Sequence, residues 1–239
     1  MNDPIAKLKD LVNASKRIVF FGGAGVSTES GIPDFRSQDG LYNQTYKYPP
    51  EAIISRDFFF HNPEEFYKFY KDKVLNMVAK PNKAHLALAE LERRGKLTAV
   101  VTQNIDGLHQ AAGSAKVLEL HGSVMRNYCL SCRRQYSAQH VADADGVPVC
   151  SCGGIIKPDV VLYQESLDSD ILNESIAYIE RADLMIVGGT SLTVNPAASL
   201  LNFFKGKSLV IINKTKTPGD RSASLVINES IGLVLDAIL

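Results

Sequence analysis

The sequence predicts an α/β protein, a doubly wound parallel sheet with a second, smaller lobe, and three observations lead there. Short, almost wholly apolar runs alternate with helical patterns, which is how parallel strands buried on both faces and their crossover helices read. A glycine-rich turn, Gly22-Gly23-Ala24-Gly25, follows the first such run at once. Two stretches, residues 37 to 82 and 123 to 157, break the alternation, and the second holds all four cysteines.

The elements follow in order. Lys7–Ser15 reads as a helix and Arg17–Phe21 as the first strand, which hands over through the glycines to a further helix. Thr98–Thr102 (TAVVT), Leu184–Val187 (LMIV) and Leu209–Ile212 (LVII) are short, largely β-branched runs and read as strands of the same sheet. Lys83–Arg94 and Asp170–Arg181 carry the helical period between them. The first irregular stretch is rich in aromatics and proline, with a helical piece from Pro63 to Met77; the second shows little periodicity.

With 239 residues, the chain fits one large domain bearing an insertion, and its core needs no disulfide. Lys+Arg and Asp+Glu both number 26, so the formal charge is zero and no polyanion-binding surface is expected. No apolar run approaches the ~18–20 residues of a membrane span, and Met1–Lys9 lacks the basic-then-apolar pattern of a secretory leader. A cytoplasmic protein without membrane or direct nucleic-acid contact is therefore expected.

Gly22–Ser27 sits where backbone amides and a helix dipole can cradle a phosphate, although a ligand-free βα turn would use the same glycines. The dehydrogenase fingerprint G-x-G-x-x-G would need glycine where Thr28 stands, and no acid clearly ends a second strand about 20 residues on. Just beyond, Asp34, Phe35 and Arg36 set an acid, a ring and a guanidinium in consecutive positions, a combination that a surface Arg–Asp pair would only partly explain. The strand ending at Thr102 continues into Gln103, Asn104, Ile105 and Asp106; a helix cap would account for Asn104 or Asp106, but not for three polar groups together. His121 also follows an apolar run and precedes Gly122, a setting that suits a general base. His61, His85, His109 and His140 read as structural or capping residues. Cys129-x2-Cys132 and Cys150-x-Cys152 supply four thiolates in two pairs, which fits one structural zinc with no open coordination position; a redox pair is the alternative.

GAGVS (Gly23–Ser27), GIPDFR (Gly31–Arg36), TQNID (Thr102–Asp106), LHG (Leu120–Gly122), the four cysteines and GTSLTVNP (Gly189–Pro196) together resemble the sirtuins, in the same order along the chain. The resemblance implies a Rossmann-like NAD-binding domain from residues 1–36, 83–122 and 158–239, with a smaller domain made of a helical module (37–82) and a zinc module (123–157). It implies NAD as co-substrate, with Gly23, Ala24, Gly25, Thr28, Asp34, Phe35, Arg36, Gln103, Asn104, Ile105, Asp106, His121, Gly189, Thr190, Ser191 and Asn213 around it. It further implies acyl-lysine proteins or peptides as substrates, held in part by Val160, Val161 and Leu162. The expected reaction breaks the glycosidic bond of NAD, releases nicotinamide and moves the acyl group, most simply acetyl, onto ADP-ribose. Asn104 and His121 are the expected catalytic residues, with His121 as the base.

Two departures from the family pattern bear on the acyl group. Where the family often carries F-G-E, Val161–Glu165 reads VLYQE. Where members that remove acidic acyl groups carry Tyr-x-x-Arg, this chain has Tyr70 and Lys73, and a lysine lacks the bidentate geometry of arginine. Protein mono-ADP-ribosyl transfer, a preference for acidic or longer acyl groups, and a non-catalytic NAD sensor are the competing expectations.

Overall fold

The computed structural model describes residues 3–35, 40, 46–75 and 78–239. Helix α1 (Pro4–Ala14) starts earlier than its periodicity suggests, because the Asp3 side chain accepts the Ile5 amide and Pro4 fills the first helical position. It leads into β1 (Ile18–Gly22), whose five residues are all buried. Ile18 and Phe20 face a core shared with α1, whereas Val19 and Phe21 face the opposite layer.

The glycine turn opens no regular helix. The chain makes two short 3-10 turns, Ala24–Val26 and Thr28–Ser30, so the expected helix dipole at this turn is absent and only local amides remain for an anion. Three short helices follow: α2 (Pro50–Ile53), α3 (Arg56–His61) and α4 (Pro63–Phe69), the last continuing as a wider turn to Val74. The far end of the expected Pro63–Met77 helix, Asn76 and Met77, lies outside the described residues.

Helix α5 (Lys83–Arg93), β2 (Leu97–Thr102), the short α6 (Leu108–Ala111) and β3 (Val117–Glu119) complete the first half of the main sheet. The chain then leaves it for β4 (Gly122–Cys129), β5 (Gln135–Ser137), α7 (Ala138–Asp143) and β6 (Ile156–Val160), which form a separate antiparallel sheet in the order β5-β4-β6. After α8 (Ser169–Arg181) it returns through β7 (Leu184–Gly188), a 3-10 helix (Ala197–Phe203), β8 (Ser208–Ile212), β9 (Leu225–Ile227) and α9 (Ile231–Ala237).

The six-stranded main sheet runs β3-β2-β1-β7-β8-β9, and all its pairings are parallel. Helices α1, α5 and α9 cover one face; α8 and the 3-10 helix cover the other. Strand order reverses between β1 and β7, and both strands end in register, Gly22 opposite Gly188. A sheet of this kind takes its ligands beyond such a switch point.

A third core joins the two excursions. Phe59, Phe66, Tyr67, Phe69 and Tyr70 from the helices pack with Val124, Cys129, Val141, Cys150 and Ile156 from the cysteine-bearing stretch. Most of the rings meet edge to face, as Phe59 does with Phe66 at 4.9 Å, while Tyr70 stacks on Phe66. Neither stretch has enough apolar surface to close a core alone, and together they bury it.

Candidate active site at the strand switch point

The turns after β1 and β7 lie against each other. The Gly25 amide donates to the Gly189 carbonyl at 2.8 Å, and the Gly23 amide to the Gly188 carbonyl at 3.3 Å. A Cβ on Gly25 would come within 2.8 Å of the Gly189 Cα, and one on Gly23 within 2.8 Å of the Thr190 Cβ. Gly189 is left-handed at φ +60, and a side chain there would strike the Val26 amide. These glycines are thus required by the close packing of the two turns. Thr28 closes the turn by donating its hydroxyl to the Gly25 carbonyl at 3.0 Å. Gln103 Nε2 reaches across to Thr190 Oγ1 at 3.1 Å, tying the ends of β2 and β7.

Beside these turns lies a closed hydrogen-bond network centred on Ser27, which is 1% exposed. Its hydroxyl donates to Asp106 Oδ2 at 2.6 Å and accepts from Asn104 Nδ2 at 3.0 Å. His85 Nε2 is 3.5 Å from the same oxygen. Because His85 Nδ1 accepts the Asn82 amide at the start of α5, Nε2 carries the ring proton and points it at Ser27. The second oxygen of Asp106 accepts the Leu108 amide, which begins α6. Asn104 and Asp106 are consequently held in fixed orientations. Ser27 and His85 were not singled out by the sequence: His85 is a capping residue as expected, and its second contact is formed by a residue 58 positions away.

His121 leaves β3 beside this network. Its Nδ1 sits 3.0 Å from the Gln103 carbonyl, which can only accept, so the proton resides on Nδ1 and Nε2 keeps its lone pair. Burial pushes its pKa below the ordinary histidine value, against the raising effect of that hydrogen bond. The backbone is pinned as well, since the His121 carbonyl accepts the Val161 amide at 3.0 Å. The result is a neutral, oriented imidazole at the edge of the switch point.

Other expected residues distribute unevenly. Asp34 and Phe35 are half-buried where the chain leaves the second 3-10 turn; Arg36 lies outside the described residues. Ile105 packs against the small-domain core. Ser191 is exposed, its hydroxyl 2.8 Å from that of Thr193. Asn213 stands just past β8, its amide donating to the Thr215 carbonyl at 2.8 Å. Along Val160–Leu162 the amides are already used: Val161 donates to His121, and Leu162 to Glu165 Oε2 at 2.8 Å. Two of its carbonyls are engaged as well, that of Val160 by Lys157 Nζ at 2.9 Å and that of Leu162 by the Glu165 amide at 3.0 Å. Tyr70 is buried with its ring stacked on Phe66 at 5.6 Å, and Lys73 pairs with Asp72 at 3.0 Å.

The cysteines converge. Their four Sγ atoms lie within 4.8 Å of one another, with Cys129–Cys152 at 3.5 Å and Cys132–Cys150 at 3.6 Å. Those separations are far beyond the ~2.05 Å of a disulfide and close to the edge, roughly 3.8 Å, of a tetrahedron with Zn–S bonds of about 2.3 Å. The Cys152 amide and the Tyr136 hydroxyl pull the Cys150 thiol down to about 5, toward the thiolate that a metal needs. The tight C-x-C step is possible because Gly153 is left-handed and Gly154 has no Cβ, which would lie 2.7 Å from Cys129 Sγ.

Fold and site together define a Rossmann-like protein with a glycine-lined switch point, four cysteines placed to hold one metal ion, and an oriented histidine at the end of a neighbouring strand. The model of the Sir2 family matches residues 23–196, and the chain belongs to that family. It is 56% identical over 243 residues to an NAD-dependent protein deacetylase of Clostridium perfringens, covering all of both chains. A second NAD-dependent protein deacetylase, from Staphylococcus aureus, is 45% identical and covers 100% of this chain and 99% of its own. Among solved structures, a Sir2 complex with deacetylated p53 peptide and 3'-O-acetyl-ADP-ribose superposes with a TM-score of 0.91 at 43% identity, covering 98% of this chain and 96% of the other. A Sir2–p53 peptide–NAD+ complex does so at 0.86 and 44% identity, with the same coverage.

Proposed function

We propose that this protein removes acyl groups, acetyl first among them, from protein lysines in an NAD-dependent reaction that releases nicotinamide and O-acyl-ADP-ribose. The observation that carries the reading is His121: neutral, with its proton fixed on Nδ1 by the Gln103 carbonyl and Nε2 left to accept another. Bound NAD would supply an ADP-ribosyl group that takes over the acyl group as nicotinamide departs. The paired glycine turns Gly23–Gly25 and Gly189–Ser191 suit a pyrophosphate, because with no Cβ at Gly23, Gly25 or Gly189 the two backbones close on each other at the strand ends and leave main chain for a phosphate to approach. Asn213 suits the far ribose; Asn104 and Asp106, oriented through Ser27, suit nicotinamide and its ribose, with Gln103 beside them. Thr28 and Ile105 hold their loops in place, and by resemblance to the family Asp34 and Phe35 suit the reacting end, where a ring would keep water out.

An acetyl group fits better than an acidic one. Lys73 is engaged by Asp72 and Tyr70 belongs to the small-domain core, so the pair forms no carboxylate clamp. The protein partner is accordingly an acetyl-lysine segment running along Val160, Val161 and Leu162. The free, metal-ready thiols favour a reducing compartment, the cytoplasm. Among the described residues, no helix is long and apolar enough to cross a membrane.

Exchanging His121→Ala tests the reading. Deacetylation of an acetyl-lysine peptide should fall by roughly 10²-fold or more, while calorimetric NAD binding persists. An alanine variant that still deacylates would overturn the assignment of the base. ADP-ribose found covalently on protein, with the peptide still acetylated, would favour the transferase reading instead.

A further inference from the structure

β4 departs from its partner at one place, and the departure sits at the domain junction. Ser123 faces Asp159 across the sheet, yet the next paired position is Asn127 opposite Pro158, so Val124, Met125 and Arg126 bulge out of register. The bulge is stitched shut by its neighbours: the Met125 amide donates to Ser123 Oγ at 3.2 Å, and Asn127 Nδ2 donates to the Val124 carbonyl at 3.3 Å. It also reaches the nucleotide side, since the Val124 amide donates to the Ile105 carbonyl at 2.9 Å.

The bulge turns Arg126 back onto two acids. Its Nη1 donates to Glu119 Oε2 at 2.6 Å, and its Nε to Asp159 Oδ2 at 2.8 Å. Glu119 is the last residue of β3, two before His121; Asp159 lies on β6, just before Val160 and Val161. One guanidinium therefore spans the strand that delivers the base and the strand that carries the candidate peptide segment. An exposed ion pair would contribute little, but the Glu119 side chain is only 8% exposed, so losing Arg126 would leave a buried acid without its partner.

We propose that Arg126 is a positioning residue of the deacylation reaction, clamping the His121-bearing exit of β3 to the peptide-bearing end of β6 through Glu119 and Asp159. Its guanidinium is committed to the two acids, and it acts by fixing the separation of base and peptide. The inference rests on the deacylase reading, so turnover of an acetyl-lysine peptide by the unaltered protein is the baseline, and its absence would count against that reading rather than against the clamp.

Given that baseline, Arg126→Gln should lower kcat/KM for the acetyl-lysine peptide by about tenfold, with the KM for NAD and the zinc content unchanged. Arg126→Lys, which can still reach one acid, should recover part of the loss. Asp159→Asn removes the more exposed arm and spares the buried Glu119, which guards against a folding artefact. Combined with Arg126→Gln it should cost no more than Arg126→Gln alone. Peptide kinetics within twofold of the unaltered enzyme, a parallel rise in the KM for NAD, or fully additive losses in the double variant would each overturn the proposal.

Discussion

At the scale of single residues, the site depends on tautomers and saturated partners more than on charge. His121, His85 and His109 all have pKa values lowered chiefly by burial, His109 to about 3, so these three imidazoles stay neutral at pH 7. The sign of the resulting pH dependence is fixed. A base that must be neutral, with its pKa below the ordinary ~6.5 of histidine, loses activity only once the pH drops beneath that lowered value. The acid limb of kcat/KM for an acetyl-lysine peptide should therefore lie below pH 6.5; a limb at or above 6.5 would show that His121 is not the group titrating. Much of this was legible in the chain. Strand ends that finish in His121, or in Gln103, Asn104 and Asp106, mark a ligand face by position alone. Ser27 as a hub was not legible, because its partners Asn104, Asp106 and His85 converge only when β1, β2 and α5 pack together.

At the scale of elements, β1, β2, β7 and β8 declare themselves because parallel strands covered on both faces must be apolar at nearly every position. β4 hides for the opposite reason: its bulge breaks the two-residue alternation, so GSVMRNYC looks aperiodic although it pairs on both sides. β9 has only three residues, too few to show a period. The helix expected after the glycine turn gives way to two 3-10 turns, the second closed by Gly31 in the left-handed region. Gly122, where β3 hands over to β4, is the most constrained joint. It is left-handed at φ +76, and a Cβ there would collide with the Asp159 carbonyl. Gly122→Ala should cost about 3 kcal/mol or more of stability, by analogy with other strained and overpacked sites, and shift His121 enough to remove most activity. Denaturant unfolding of a purified variant checks the first and peptide turnover the second; an alanine variant as stable and active as the parent would contradict this account of the joint.

At the scale of the whole molecule, the small domain is assembled from sequence segments that the Rossmann half keeps apart, and the cysteine site lies inside that assembly. Cys129 and Cys150 belong to the same core as Phe66, Tyr70 and Ile156. Stripping the metal with a strong chelator should therefore melt the helical module along with the cysteine loops and abolish deacylation, while the six-stranded sheet persists as a separate, later thermal transition. A single unchanged transition in zinc-free protein would refute that coupling. The shared core also has a consequence for how the chain is made. The aromatic cluster of Phe59, Phe66, Tyr67, Phe69 and Tyr70 leaves the ribosome first, and its covering residues, Val124 through Ile156, follow only after α5, β2 and β3 have been synthesised. At about 5–20 residues per second, those rings wait several seconds without a partner. From Tyr70 to Ile156 the chain grows by 86 of its 239 residues, so the nascent protein carries an uncovered apolar face through more than a third of its own synthesis.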